Sequence, residues 1–203
     1  MTSNPLSKII FTLLTAGVLA LAGCSKAPET TAAGKATTAV SMAAVAADAT
    51  GFSVGSPMSA RTVYVFFDAQ CPHCGALWEA AKPLKSQARF VWIPVGILNP
   101  SSTAQGASLL AANDPVAAMD AHEASLLARQ GGLTAASASD EQKAVIAKNT
   151  VLFNRFGFAS IPTIVALNAQ TGALVTQEGA MPTAALATLL GLQVPAAQPA
   201  APV

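Results

Sequence analysis

Between Thr62 and Phe67 the chain reads Thr-Val-Tyr-Val-Phe-Phe, and four residues further on it reads Cys71-Pro72-His73-Cys74. The first stretch is β-branched and aromatic with no polar alternation, the pattern of a strand buried on both faces. Asp68-Ala69-Gln70 interrupts it as turn chemistry, and Pro72 suits the first turn of a helix, where its missing N–H costs nothing. Leu77, Trp78, Ala81 and Leu84 then recur at helical spacing, which predicts a helix from Pro72 to about Gln87, bent near Pro83. Phe90 to Val95 reads as the next strand. A strand, a helix and a strand in this order make a right-handed parallel crossover. The cysteine pair therefore sits at the junction of a buried strand and a helix start.

The rest of the domain follows by the same reasoning. Residues 101–156 are helical in character, with segments at Ala104–Ala112, Pro115–Arg129 and Asp140–Phe156 separated by Asn113-Asp114, Gly131-Gly132 and Gly157. Ser139 and Gln142 have the spacing of a capping box at the start of the third segment. Pro162 to Leu167 is a strand. Ala173 to Gln177 follows after a connection containing Gly172, a hairpin pattern, and Pro182 to Leu190 closes as an apolar helix. The expected class is α/β, with a central mixed sheet flanked by helices and a helical insertion.

The N-terminus reads as an export signal. Lys8 precedes Ile9–Ala22, a continuous apolar or small-residue stretch. It is shorter than the roughly 20 residues a spanning helix needs and has the length of a signal core. It ends in Leu21-Ala22-Gly23-Cys24, which resembles the bacterial lipobox. That likeness implies cleavage before Cys24 and a lipid on its sulfur, and hence a periplasmic, membrane-anchored protein. Ser25 in place of aspartate points to the outer membrane rather than the inner. The expected organisation is a leader over residues 1–23, a lipidated tether over 24–50, a folded domain over 51–193 and a disordered Pro/Ala tail over 194–203. The tether is mostly alanine, threonine and serine with no aromatic residue, although it permits helix near Val40–Ala47. With 11 basic and 10 acidic residues and no basic stripe, nucleic acid is not an expected partner.

There are three cysteines. Lipidation takes Cys24 and leaves one pair, in a compartment where disulfides persist. A bond between Cys71 and Cys74 closes too small a loop to stabilise a fold much, so the pair reads as chemical. A helix start presents unpaired N–H groups and the positive end of the dipole, both of which favour a thiolate. Cys71 is then the nucleophile, and Cys74, one turn inward, resolves the mixed disulfide. His73 lies near enough to add positive charge or a donor. Were the Cys71 pKa to fall to about 4, the reduced form would gain roughly 4 kcal/mol at pH 7, or about 85–90 mV. A strongly oxidising pair is the corresponding expectation.

A Cys-x-x-Cys can also be half of a metal site, but four ligands are the rule and the only other histidine is His122. His122 reads as a surface or half-buried helix residue, and Trp78 as core beneath the motif. A copper carrier using Cys71, Cys74 and His73 is the alternative function. No metal and no cofactor beyond the redox pair is expected.

Val63-Tyr64-Val65-Phe66-Phe67-Asp68, Cys71-Pro72-x-Cys74, Trp78 and Pro83 together resemble the catalytic domain of DsbG and DsbC, periplasmic disulfide isomerases and reductases of thioredoxin-like fold. Val95-Gly96-Ile97-Leu98-Asn99-Pro100 and Asn113-Asp114-Pro115 extend the likeness, which spans about Ser59 to Leu192 and is closest to DsbG. It implies Cys71 as attacking cysteine, Cys74 as resolving cysteine and Pro162 as a cis proline facing them. Ile161 would then offer its backbone to an extended substrate. The implied activity is thiol:disulfide interchange: reducing, isomerising or forming disulfides in exported proteins, with a membrane redox partner that resets the pair. Three features depart from the family. A short tether stands where DsbG carries a dimerisation domain, so a monomer is expected. Pro72-His73 is the dipeptide typical of the oxidase DsbA, and Ile161 stands where threonine is usual.

Overall fold

The computed structural model describes residues 38–135 and 138–196. The leader, the lipobox Cys24, the tether up to residue 37 and the tail from residue 197 lie outside them. Five strands, β1 (Phe52–Gly55), β2 (Thr62–Asp68), β3 (Arg89–Val95), β4 (Thr163–Leu167) and β5 (Leu174–Glu178), form one sheet in the order β1-β3-β2-β4-β5. β2 and β3 are parallel and the other pairings antiparallel. The helices are α1 (Met42–Asp48), α2 (Pro72–Ala81), α3 (Pro100–Ala111), α4 (Pro115–Leu127), α5 (Asp140–Arg155) and α6 (Thr183–Leu190). α2 makes the crossover between β2 and β3, and α3 to α5 are inserted between β3 and β4.

β2 is the central strand, and its unbroken apolar run serves two cores. Val63, Val65 and Phe67 face one way, into a cluster with Leu77 and Trp78 of α2 and Leu186 and Leu190 of α6. Tyr64 and Phe66 face the other, toward Val45 of α1, Leu152 and Phe153 of α5, and Phe156 and Phe158. Trp78 packs edge-on to Trp92 with ring centroids 5.0 Å apart, so it is core, as its helical spacing predicts. Its indole N–H still finds an acceptor, Asp120, at 2.7 Å. The bend expected at Pro83 is a 3-10 turn over Lys82–Leu84.

Each insertion helix begins with a side-chain cap. Asn99 and Asp114 cap α3 and α4 ahead of Pro100 and Pro115, and Ser139 with Gln142 forms the anticipated capping box on α5. The first of these moves the start of α3 from the expected Ala104 to Pro100.

Two features at the N-terminal edge differ from expectation. The fold begins no later than Thr38, whose N–H donates to Arg155 O at 2.8 Å. Residues 38–50 are therefore part of the domain rather than tether. Val45 is fully buried, Arg155 pairs with Asp48 at 2.9 Å, and Asn149 bonds both backbone groups of Thr50. The apolar face responsible, Val40, Met42 and Val45, is thinly spread through an alanine-rich stretch. β1 likewise has no counterpart among the elements the sequence pattern predicts. It is four residues long and earns its place by pairing along β3, with Phe52 opposite Trp92.

Candidate active site

Cys71 is the N-cap residue of α2, and Pro72 is its first helical residue. The Cys71 sulfur takes the acceptor position that a serine or aspartate oxygen usually fills, receiving the Cys74 N–H at 3.3 Å. The strand end, the turn at 68–70 and the proline together place that sulfur at the positive end of the helix. Cys74 lies one turn inward and is fully buried, and both cysteines are free thiols. The carbonyl of Ile161 lies 3.9 Å from the Cys71 sulfur. The Ile161–Pro162 bond is cis, and Pro162 leads directly into β4. The structure thus brings Cys71, Pro72, His73, Cys74, Ile161 and Pro162 to one place.

The Cys71 pKa is lowered to about 7. The largest cause is the Cys74 thiol, which donates to the Cys71 sulfur. Burial opposes it, the backbone N–H groups of Cys74 and His73 add to it, and the charge of Asp68 opposes it again. Burial and the neighbouring Cys71 sulfur push the Cys74 thiol strongly upward. The two sulfurs are therefore split into an attacking thiolate and a held thiol. One expectation needs correction here. The pKa does not fall toward 4, because burial and Asp68 offset much of the hydrogen bonding, and His73 acts through its backbone amide while its side chain is exposed. Cys71 itself is 4% accessible, beside the exposed Pro72 and His73.

Asp68 does more than shape a turn. It is fully buried, and it accepts from Gln70 N at 2.9 Å, Ile97 N at 2.8 Å and Leu98 N at 3.0 Å, tying the loop after β3 to the loop before Cys71. His122 departs furthest from its reading. It is fully buried, with Nε2 on the Ala69 carbonyl and Nδ1 accepting the Leu133 N–H at 3.0 Å. Burial holds its pKa below the usual range, so the ring is neutral, with Nε2–H donating and Nδ1 accepting. Gln105 of α3 bonds the Gly131 and Leu133 carbonyls and accepts from the Gln70 amide. The insertion therefore grips the segment just ahead of the nucleophile. Among the described residues no three His, Cys, Asp or Glu side chains converge as a metal site would require.

Sequence reasoning also missed Glu123. It lies on α4, 5% exposed, with its carboxylate against the backbone of Gly75, one residue past Cys74. Any side chain at position 75 would collide with it. His122 and Glu123, three and four residues past Met119, put two polar side chains on the otherwise apolar face of α4 and are the available signal.

Burial first, and then the charges of Cys71 and Glu79, raise the Glu123 pKa to about 7. The folded state thus holds a proton there that the unfolded chain releases in the ordinary carboxylate range. Stability is lost as pH rises from about 4.5 through 7. Glu123→Gln, which cannot ionise, should exceed the wild type by on the order of 2 kcal/mol at pH 8. The gap should close by about pH 4.5 in parallel urea titrations. A gap independent of pH would contradict this account of Glu123.

The thioredoxin-like domain family matches residues 56–193. The thiol:disulfide interchange protein DsbG of Pseudomonas aeruginosa is 37% identical over 139 residues, 64% of this chain and 51% of that protein. DsbG of Escherichia coli is 33% identical over 108 residues, 50% of this chain and 42% of that one. The chain spans about half the length of these curated relatives or less. Among solved structures, Proteus mirabilis ScsC in a compact conformation superposes with a TM-score of 0.61 at 18% identity, covering 77% of this chain and 81% of ScsC. A disulfide interchange protein of Neisseria gonorrhoeae gives 0.55 at 23% identity, over 70% and 93%. The solved structures share this fold, and the match over residues 56–193 makes this chain a member of the thioredoxin-like domain family.

Proposed function

We propose that this protein exchanges disulfides with exported proteins, chiefly as a reductase or isomerase. The observation that carries the reading is the Cys71 sulfur serving as the cap of α2, with a pKa of about 7 and a held thiol one turn behind it. At neutral pH a large share of Cys71 is thiolate. It attacks one sulfur of a substrate disulfide, forming a mixed disulfide and releasing the other substrate sulfur, which takes up a proton. Cys74 gives up its proton and attacks the Cys71 sulfur, closing the Cys71–Cys74 bond and releasing the second substrate thiol. Two electrons pass to the substrate, and the oxidised pair is reset by a membrane redox partner.

The size of the pKa shift supports this direction. Strong oxidants of this fold have an attacking cysteine near 3.5, so their reduced form is heavily stabilised, whereas thioredoxin's lies near 7. Cys71 belongs with the second kind, despite the Pro72-His73 dipeptide. Ile161 and Pro162, beside the Cys71 sulfur, would present backbone to an extended substrate. Export by the leader, anchoring through lipidated Cys24 and an outer-membrane position complete the reading and rest on the lipobox-like sequence.

The test is to trap the intermediate. Cys74→Ala should accumulate mixed disulfides with exported cysteine-containing proteins, all through Cys71 and all cleared by reductant. A folded, exported variant that forms no such adduct would contradict the mechanism.

A further inference from the structure

Between α2 and α4, next to the cysteine pair, is a cavity of about 260 Å³. Pro72, Ala76, Leu126 and Leu127 give it apolar walls, with Glu79 at its edge and Glu123 beneath. Glu123 is 95% buried, and its Oε1 has no hydrogen-bond partner. The nearby ammonium of Lys82 is already committed, 2.6 Å from Glu79 and 2.7 Å from Asp120. A carboxylate buried without a partner is costly, and it is the kind of group that an incoming cation satisfies. The walls ask for something different, namely apolar contact over the length of a side chain. A side chain with an aliphatic stem and a cationic head meets both demands.

We infer that this cavity is a substrate subsite for a basic side chain, a lysine or arginine close in sequence to the cysteine that bonds to Cys71. Its stem lies against Pro72, Ala76 and Leu126, and its head reaches Glu123. Glu79 keeps Lys82 as its own partner and contributes little. The assignment rests on the redox reading of Cys71 and adds a substrate class to it: segments in which a cysteine is flanked by positive charge. Ionisation of Glu123 follows from binding, because a cation beside its carboxyl group favours the carboxylate that burial disfavours.

The experiment compares peptides that differ only in one charge. Short peptides carrying a single cysteine, blocked as the mixed disulfide with 2-mercaptoethanol, are made with lysine or norleucine at each of the two positions on either side. The reduced full-length protein is mixed with each, and the exchange rate constant is measured at low and high salt. For at least one position the lysine peptide should react about tenfold faster than its norleucine partner. That ratio should fall with salt. It should drop to near one in Glu123→Gln, and also in Ala76→Leu, which fills the cavity and leaves Glu123 in place. Exchange with no preference for lysine at any position overturns the subsite alone, as does a preference that survives both substitutions. No exchange with any peptide by the folded protein overturns the redox reading and the subsite with it.

Discussion

Cys71→Ser is expected to lower dithiothreitol-dependent insulin reduction at least ~10³-fold while leaving the protein folded. The two halves of this result come from different properties of one atom. As a nucleophile the sulfur has no substitute: a serine hydroxyl is not ionised at neutral pH and cannot form a disulfide. As a helix cap it is readily replaced, because serine is among the preferred N-cap residues and its oxygen can accept the same Cys74 N–H. The thermal midpoint should therefore stay within a few degrees of the wild type. Retained activity would mean that another group attacks the substrate. A folded-state collapse would mean that Cys71 is there for packing.

The largest effect on stability is expected from Trp92→Ala. Trp92 is fully buried on β3 and lies edge-on to Trp78 and to Phe67, with centroids 5.0 and 5.5 Å apart. Those two rings belong to α2 and β2, the elements on either side of the active-site turn, so Trp92 is the block against which both are seated. Removing a buried tryptophan costs about 3–5 kcal/mol, a large part of the roughly 5–15 kcal/mol that holds a domain together. Urea unfolding should show the midpoint fall by that amount, with activity declining in step because the Cys71 turn loses its backing. A loss under about 1 kcal/mol would mean that Trp92 is not the block on which α2 and β2 are seated.

The parts of the fold written in contiguous residues were legible before any coordinates. β2 could be read because a strand buried on both faces must be apolar at every position. α2 could be read because proline and the spaced Leu77, Trp78, Ala81 and Leu84 leave little choice. Cys71 and Cys74 followed from the junction of the two. Residues 40–47 read in sequence as tether that permits helix, and α1 forms there, but Val40, Met42 and Val45 only count as an apolar face once there is a sheet for them to cover. β1 is too short to carry a pattern and depends on β3 for its pairing.

The site's surroundings were hidden for a related reason. His122 and Glu123 are about 50 residues from the motif, and only the packing of α4 brings them to Ala69 and Gly75. A histidine in a helix looks the same in sequence whether water or a carbonyl meets its nitrogen. The size of the Cys71 shift was equally out of reach, since it is a balance among the helix start, the Cys74 thiol, burial and Asp68. Its direction rests first on the Cys74 thiol and then on the amides of the helix start.

The measurement that bears most directly on the account is the rate of Cys71 alkylation by iodoacetamide as a function of pH, followed by mass spectrometry on the reduced protein. The predicted curve has a single inflection near pH 7, with modification confined to Cys71 while Cys74 stays unreacted. An inflection at or above the free-thiol value of about 8.5, or modification of Cys74 first, would contradict it.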